Sequence, residues 1–297
     1  MGWLQFVMEL DSLDATEVEN VLLCLGACSV TLSDAGGDPV LEPAPGETPL
    51  WRRTCITGLF DSDTDAESLA ARVQAELGVD VLPSWCIEVL ADRAWEREWL
   101  KDFRPMRFGD RLWICPKTEP VEGPPTGSVV VRLDPGLAFG TGTHATTALC
   151  LEWLDGLDLE GRTVLDYGCG SGILAIAALK LGARSATGMD IDPQALLATR
   201  ENAAANGVRV TVCQRPEDIE GSFDVVLANI LAAPLVEFAD SITARLASHG
   251  MLALSGVLCE QADEIMAAYD PWIEFEKPAF REQDDQTWSR LTGRRKD

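Results

Sequence analysis

The sequence has 297 residues, which is long for one typical domain and sufficient for two domains with separate cores. Its 24 Lys and Arg residues stand against 48 Asp and Glu residues, so the formal net charge is −24. A surface this acidic argues against binding to a nucleic-acid phosphate backbone and favours a basic partner.

The cysteine and histidine content argues against a zinc-finger site and a disulfide framework. None of the nine cysteines forms a C-x-x-C pair, and His144 and His249 are the only histidines. The N-terminal segment lacks the basic region of a secretion signal, and no apolar run approaches ~18 residues. We therefore expect no bound metal, no membrane span, reduced thiols and a cytoplasmic location.

Residues 1–90 carry a β-α-β-β-α-β pattern, which is typical of a ferredoxin-like α+β domain. Asp14 can cap the first helix and Gly26 can end it, and residues 36–49 form a Gly/Pro-rich loop. Residues 1–100 contain 19 acids and 5 bases, over half of the excess negative charge. The strands are predicted at Leu4–Leu10, Cys28–Leu32, Arg52–Phe60 and Trp85–Leu90, and the second helix at Asp65–Leu77.

Residues 91–125 are interpreted as a connector. Residues 91–102 predict a charged helix with Trp95 and Trp99 on one face, although this helix can equally be the last element of the first domain. A strand is predicted at Phe108–Pro116, followed by a turn-rich segment that reaches Gly127.

Residues 126–297 predict a doubly wound α/β domain, because short strands alternate with helices. Two further strands, Trp272–Phe280 and Gln286–Thr292, predict an antiparallel pair at the edge of a seven-stranded Rossmann-like sheet. The five preceding strands are predicted at Val164–Tyr167, Ser185–Asp190, Arg209–Cys213, Asp224–Ala228 and Met251–Ser255, and the helices at Ile173–Leu181, Pro193–Asn206 and Pro234–Ala247.

A glycine loop, Asp166-Tyr-Gly168-Cys-Gly170-Ser-Gly172, follows the first of these strands and precedes a helix. The dinucleotide fingerprint fails because Ile173 occupies its closing glycine position, and the G-K-[ST] of a P-loop is absent. The D-x-G-x-G-x-G spacing resembles the first motif of class I S-adenosylmethionine (SAM) methyltransferases. A simple tight turn between strand and helix is the alternative.

Acidic residues follow the next two strands. Asp190 ends the second strand, where a carboxylate can accept both hydroxyl hydrogen bonds of a ribose. Asp192 precedes Pro193 and is better suited to cap a helix. Glu217 and Asp218 lie where methyltransferases often contact adenine, and a solvated acidic loop is the equal alternative.

Asn229 ends the fourth strand, at the edge of the sheet where ligands bind in such folds. Amino-directed methyltransferases often carry Asn-Pro-Pro-Tyr here, and the Asn side chain and adjacent carbonyl hold the attacking amine. This sequence has Asn229-Ile-Leu-Ala, so it keeps the position but changes the details. A turn-forming Asn is the alternative.

Three further segments, Leu133–Thr147, Asn229–Leu231 and Trp95–Trp99, combine with the glycine loop into a more specific pattern. Together they resemble the bacterial methyltransferase family of large-subunit ribosomal protein eleven, over nearly the whole chain. A visible departure is Ala145, where many relatives have Pro. The resemblance implies SAM-dependent methylation of α-amino and lysine ε-amino groups on that ribosomal protein.

The resemblance also implies which residues bind SAM. It assigns cofactor contacts to Thr147, Gly168, Asp190 and Asn229, and Asn229 is the predicted catalytic residue. We expect Asp166, Gly170 and Phe139 to complete the cofactor site. His144 is weighed as a general base against a structural role in the loop.

The resemblance further implies that the N-terminal domain binds the basic ribosomal protein, with which the acidic first third is complementary. We expect that substrate to be free of the ribosome and the enzyme to be a monomer without direct nucleic-acid contacts. Two alternatives remain open: a non-catalytic SAM-binding module that docks a basic partner, and a small-molecule methyltransferase.

Overall fold

The computed structural model of the chain describes residues 2–36, 50–90, 104–117, 125–133 and 142–296. It divides into two units, Met1–Glu98 and Trp99–Asp297. The predicted connector helix over 91–102 and the candidate cofactor residue Phe139 lie outside the described residues.

The first unit contains the predicted β-α-β-β-α-β order. Its four strands form an antiparallel sheet in the order β2-β3-β1-β4, which is the ferredoxin-like arrangement. The elements are β1 (Trp3–Glu9), α1 (Ala15–Cys24), β2 (Ser29–Asp34), β3 (Thr54–Asp61), α2 (Ala66–Leu77) and β4 (Trp85–Leu90).

Local sequence signals explain these elements. Leu4, Phe6 and Met8 are buried on one face of β1, as the alternation predicts. Asp14 caps α1 by accepting a hydrogen bond from the backbone nitrogen of Glu17 at 2.9 Å. The two helices cover the apolar face of the sheet and close the core of this unit.

The second unit begins with a small three-stranded sheet. The prediction of one strand over Phe108–Pro116 is wrong. Two strands, β5 (Met106–Phe108) and β6 (Leu112–Cys115), pair antiparallel, and β7 (Val129–Arg132) joins β6 in parallel. The chain reverses at Gly109, whose φ of 68° is accessible to glycine. The Asp155 carboxylate holds this turn by accepting from Asp110 N at 2.6 Å.

This small sheet packs on the core of the second unit through Phe108, Leu112, Ile114 and Val131. Residues 104–117 therefore belong by packing to the second unit, whereas the sequence pattern places them in a connector over 91–125. The boundaries 1–90, 91–125 and 126–297 otherwise stay a prediction.

The main sheet confirms the doubly wound prediction. Its strand order is β10-β9-β8-β11-β12-β15-β13, with β14 paired to β15. The first five strands on this path are parallel, and β15 runs antiparallel to β12. The strands are β8 (Thr163–Tyr167), β9 (Ser185–Met189), β10 (Thr211–Cys213), β11 (Phe223–Asn229), β12 (Leu246–Leu258), β13 (Ile273–Phe275), β14 (Ala279–Gln283) and β15 (Gln286–Arg295).

Helices cover both faces of this sheet. They are α3 (Ala145–Asp155), α4 (Ile173–Lys180), α5 (Pro193–Ala205), α6 (Ala232–Glu237), α7 (Ala239–Thr243) and α8 (Ala262–Tyr269). The predicted helix Pro234–Ala247 is wrong, because the chain breaks into α6 and α7 at Phe238 and β12 already begins at Leu246. Helix α8 is not among the predicted elements.

The C-terminal strands also differ from the prediction. Three strands replace the expected pair, and β15 lies between β12 and β13 rather than at the edge. Pro278 lacks a backbone donor and separates β13 from β14. The β14–β15 hairpin turns at Asp284 and Asp285, which have φ values of 51° and 59°.

Candidate active site

A cavity of about 810 Å³ lies at the carboxyl ends of the parallel strands of the second unit. This is the place where open α/β sheets bind ligands. Six of the seven residues predicted to form the cofactor site line it, and Phe139 lies outside the described residues. The six are Thr147, Asp166, Gly168, Gly170, Asp190 and Asn229.

The glycine loop between β8 and α4 adopts backbone torsions that residues with a side chain reach only with strain. Gly168, Gly170 and Gly172 have φ values of 81°, 52° and 79°. The backbone nitrogens of Gly168 and Cys169 both donate to the Met189 carbonyl, at 2.7 and 2.9 Å. These bonds fix the loop against β9 and leave its backbone at the cavity wall.

Asp190 follows β9, and backbone donors orient its carboxylate. Oδ2 accepts from Gly170 N at 2.9 Å, and Oδ1 accepts from Asp192 N at 3.0 Å. Asp192 instead caps α5 by accepting from Gln194 N at 2.9 Å. The structure therefore separates the two carboxylates as the sequence predicts, with Asp190 at the cavity and Asp192 at the helix.

Asp166 lines the cavity and is 1% exposed. Its Oδ2 accepts from Ala175 N at 3.1 Å, while Oδ1 is buried and has no hydrogen-bond partner among the described residues. Burial raises the pKa of this carboxyl to about 7, and the negative charge of Asp190 contributes to the increase. A buried carboxylate oxygen without a donor fits a cationic donor such as an α-ammonium group.

Asn229 ends β11 and contacts Thr147, which is buried in α3. The Asn229 amide nitrogen donates to the Thr147 hydroxyl at 3.3 Å. Helix α3 begins at Ala145 with His144 as its N-cap, so Thr147 lies in its first turn. The amide oxygen is the end of the Asn229 side chain that is not committed to Thr147.

His144 positions the start of α3. Its Nδ1 lies 2.8 Å from the Thr146 hydroxyl and also accepts from the Thr146 backbone nitrogen at 3.4 Å. The imidazole packs edge-on against Trp288, with ring centroids 4.6 Å apart. Burial lowers the pKa of His144, and the negative charge of Asp284 offsets only part of this decrease, so the ring is neutral near pH 7. This geometry supports a structural role for His144, and the general-base role stays a prediction.

Sequence reasoning missed Trp288 and the β14–β15 hairpin. Trp288 lines the cavity from β15, and the Gln283 side chain accepts from Ala145 N at 2.6 Å. The hairpin thus holds the N-terminal end of α3. No sequence signal identifies this contact, because the residue pattern of the hairpin is only that of a sheet edge.

Glu217 and Asp218 form part of a short 3-10 turn after β10. Glu217 lines the cavity together with Ile191 and lies 3.9 Å from Arg215, with which Asp218 pairs more closely at 3.0 Å. The structure therefore brings only Glu217 to the site, and Asp218 belongs to the acidic loop.

Outside this cavity, the described residues offer few competing sites. Among the described residues, no group of three or more His, Cys, Asp or Glu side chains could hold a metal ion. All nine cysteines are described and are free thiols. None of the helices in the described ranges is long and apolar enough to cross a membrane.

Comparison with known proteins identifies the family. The family model described as "Ribosomal protein L11 methyltransferase (PrmA)" matches residues 2–296. The chain belongs to this family. Among relatives of the same name, the one from Chromohalobacter salexigens is 51% identical over 302 residues and covers 99% of each chain. The L11 methyltransferase of Pseudomonas aeruginosa PAO1 is 50% identical over 299 residues, covering 100% of this chain and 99% of its own.

A solved structure agrees with this assignment. The L11 methylase of Lactobacillus delbrueckii subsp. bulgaricus aligns with a TM-score of 0.59 and 32% sequence identity. The alignment covers 66% of this chain and 99% of that one. The chain is therefore a class I methyltransferase of the L11 methyltransferase family, and its cofactor is S-adenosylmethionine.

The cavity fits this cofactor. The unpartnered Asp166 oxygen suits the α-ammonium of the methionine moiety, and the Asp190 carboxylate is placed for the ribose hydroxyls. Gly168 and Gly170 of the glycine loop line the same cavity.

Proposed function

We propose that this protein transfers methyl groups from S-adenosylmethionine to amino groups of ribosomal protein L11, with Asn229 at the point of transfer. The observation that carries the proposal is the Asn229–Thr147 hydrogen bond, which sets an amide at the same cavity as Asp166 and Asp190. The residues that bind the cofactor and the Asn229 amide, which can contact the attacking amine, thus line the same cavity.

S-adenosylmethionine supplies a methyl group that is already activated by the sulfonium charge. The protein therefore acts mainly by aligning the acceptor nitrogen, the methyl carbon and the sulfur in one line. The backbone of the glycine loop, Asp166 and Asp190 hold the cofactor from one side. Asn229 holds the acceptor from the other.

The acceptor must reach the site as a neutral amine, because a protonated amine has no lone pair. The reference pKa of lysine is ~10.4. An apolar cavity disfavours the charged form and lowers the pKa of the bound amine. The Asn229 amide oxygen and the adjoining Ile230 carbonyl then accept N–H hydrogen bonds and direct the lone pair to the methyl carbon.

We propose that the acidic first unit binds L11 before transfer. Its described residues contain 13 acids and 3 bases, and ribosomal proteins are generally basic, so complementary charge accelerates encounter. The α-amino group and lysine ε-amino groups of ribosome-free L11 are then the acceptors. A monomeric enzyme in the cytoplasm, with no nucleic-acid contact, suffices, and the nine free thiols suit that compartment.

The two alternatives fit less well. A non-catalytic SAM-binding module needs no polar group at the acceptor side, and a small-molecule methyltransferase needs no separate acidic unit of this size. Membership in the L11 methyltransferase family favours neither of them.

The direct test is formation of S-adenosylhomocysteine by the purified protein with and without purified L11. We expect turnover that depends on L11 and is lost in Asn229→Ala even when calorimetry shows that S-adenosylmethionine saturates the variant. Tight cofactor binding without L11-dependent turnover would refute the proposal.

A further inference from the structure

Ile230 occupies the position at which amino-directed methyltransferases often have proline. A proline ring fixes its own φ, and therefore the direction of the neighbouring carbonyl, whereas isoleucine leaves that torsion free. The conformation after Asn229 must therefore be fixed by contacts from elsewhere in the fold. Two glycines, one directly after β8 and one within β12, supply these contacts.

The first glycine is Gly168, on the β8 side. A β carbon at this position would overlap the Cγ2 methyl group of Ile230. The missing side chain therefore provides the space that the Ile230 side chain occupies. This contact joins the cofactor loop directly to the acceptor side of the cavity.

The second glycine is Gly256, on the β12 side. It is the extra residue of a β-bulge between Ser255 and Val257 and has a φ of 89°. A β carbon here would overlap the Ile230 carbonyl oxygen and lie 2.8 Å from its carbon and 3.0 Å from the Ile230 nitrogen. Any side chain at this position would therefore overlap the Ile230 backbone, including its carbonyl group.

The Ile230 carbonyl oxygen accepts no hydrogen bond within the described residues. Both Ile230 and Gly256 line the cavity. An uncommitted carbonyl beside Asn229 is a suitable acceptor for the second N–H of an attacking amine.

We propose that Gly256 is a positioning residue for methyl transfer. Its bulge holds the Ile230 backbone in place and leaves the Ile230 carbonyl oxygen uncovered. This oxygen and the Asn229 side chain then both accept hydrogen bonds from the acceptor amine. This inference rests on the proposed function, because it assumes an amine acceptor at Asn229. Contacts at Gly168 and Gly256 then restrain the Ile230 backbone in the way that a proline ring restrains this position in other amino-directed methyltransferases.

The test compares Gly256→Ala with Gly221→Ala in the full-length protein. Gly221 has a φ of 80°, and a β carbon added to it would have no atom within 4 Å, so it reproduces the backbone strain without the contact. We expect Gly256→Ala to lower kcat at least tenfold and to leave the dissociation constant of S-adenosylmethionine within threefold. Gly221→Ala should retain wild-type values of both.

Equal kcat values for the two variants would overturn the inference, as would a loss in Gly256→Ala that appears only as weaker cofactor binding. If Gly256→Ala does not fold, Ile230→Ala provides a second route, because it removes the side chain seated against Gly168. The same fall in kcat with retained cofactor binding is expected, and an unchanged kcat would refute the inference.

The failure of the inference is distinguishable from that of the proposed function. Wild-type turnover with L11 tests the function. The ratio of variant to wild-type kcat, measured on whichever amine acceptor the wild type methylates, tests the role of Gly256.

Discussion

The Asn229 amide nitrogen and the Thr147 hydroxyl oxygen are 3.3 Å apart, although the two residues are separated by 82 positions in the chain. The bond joins the end of β11 to the first turn of α3. Because the amide nitrogen is engaged by Thr147, the amide oxygen is the group left for a substrate, and it can accept a hydrogen bond from an amine N–H.

Replacing Thr147 with valine tests this orientation. Thr147→Val keeps the shape and removes the hydroxyl, so the Asn229 amide loses its restraint. A lost hydrogen bond of about 1 kcal/mol predicts that kcat falls about fivefold. Steady-state kinetics would measure this, with Thr211→Val, on the exposed start of β10, as the matched control. A wild-type kcat in Thr147→Val would show that Asn229 is held by other contacts.

Asp190→Ala should weaken cofactor binding. A carboxylate oriented by two backbone N–H groups is placed for a charged hydrogen-bond pair, and its loss costs about 2 kcal/mol or more, about 30-fold in the dissociation constant. Calorimetric titration with S-adenosylmethionine measures the effect. Asp192→Ala is the control, because it removes a helix cap and lowers the melting temperature without changing affinity. Equal cofactor affinities for wild type and Asp190→Ala would show that Asp190 does not bind the ribose.

The stability of the ligand-free protein should depend on pH through Asp166. Folding raises its pKa from 3.8 to about 7, so between these values the folded state retains a proton that the unfolded state has released. This contribution is fully present below pH 3.8, decreases as the pH rises and is lost above about pH 7. The melting temperature of wild type relative to Asp166→Asn should therefore fall from pH 5 to pH 7 and then level off. A constant difference would contradict the assignment.

Transfer should accelerate as the acceptor amine loses its proton. Below the pKa of the bound amine, kcat/KM for the acceptor should rise about tenfold per pH unit and then reach a plateau. Initial rates measured from neutral to alkaline pH, at saturating cofactor, provide the profile. A flat profile with chemistry as the slow step would exclude attack by an amine that must first be deprotonated.

The sequence predicts the parallel part of the second unit well, because short-range signals define it. Asp192 before Pro193 marks the start of α5, and the glycine spacing marks the loop after β8. The position of Asn229 follows from strand polarity, since the parallel strands end at one edge of the sheet.

The missed features depend on contacts that are distant in sequence. The bond from Ala145 N to Gln283 spans 138 positions, and the edge-on packing of Trp288 against His144 has no local signature. The reversal at Gly109 is likewise held by Asp155, which lies on another element. Periodicity reports only the faces of single elements, so it could not reveal these relations.

The most direct test of the proposed function is mass spectrometry of free ribosomal protein L11 after incubation with this protein and S-adenosylmethionine, with Asn229→Ala as the matched control. We expect mass increases in steps of one methylene unit, which fragmentation places on the α-amino group and on lysine side chains. No increase is expected with Asn229→Ala at a cofactor concentration that saturates the variant. An unmodified L11, despite folded substrate and demonstrated cofactor binding, would contradict the proposed function.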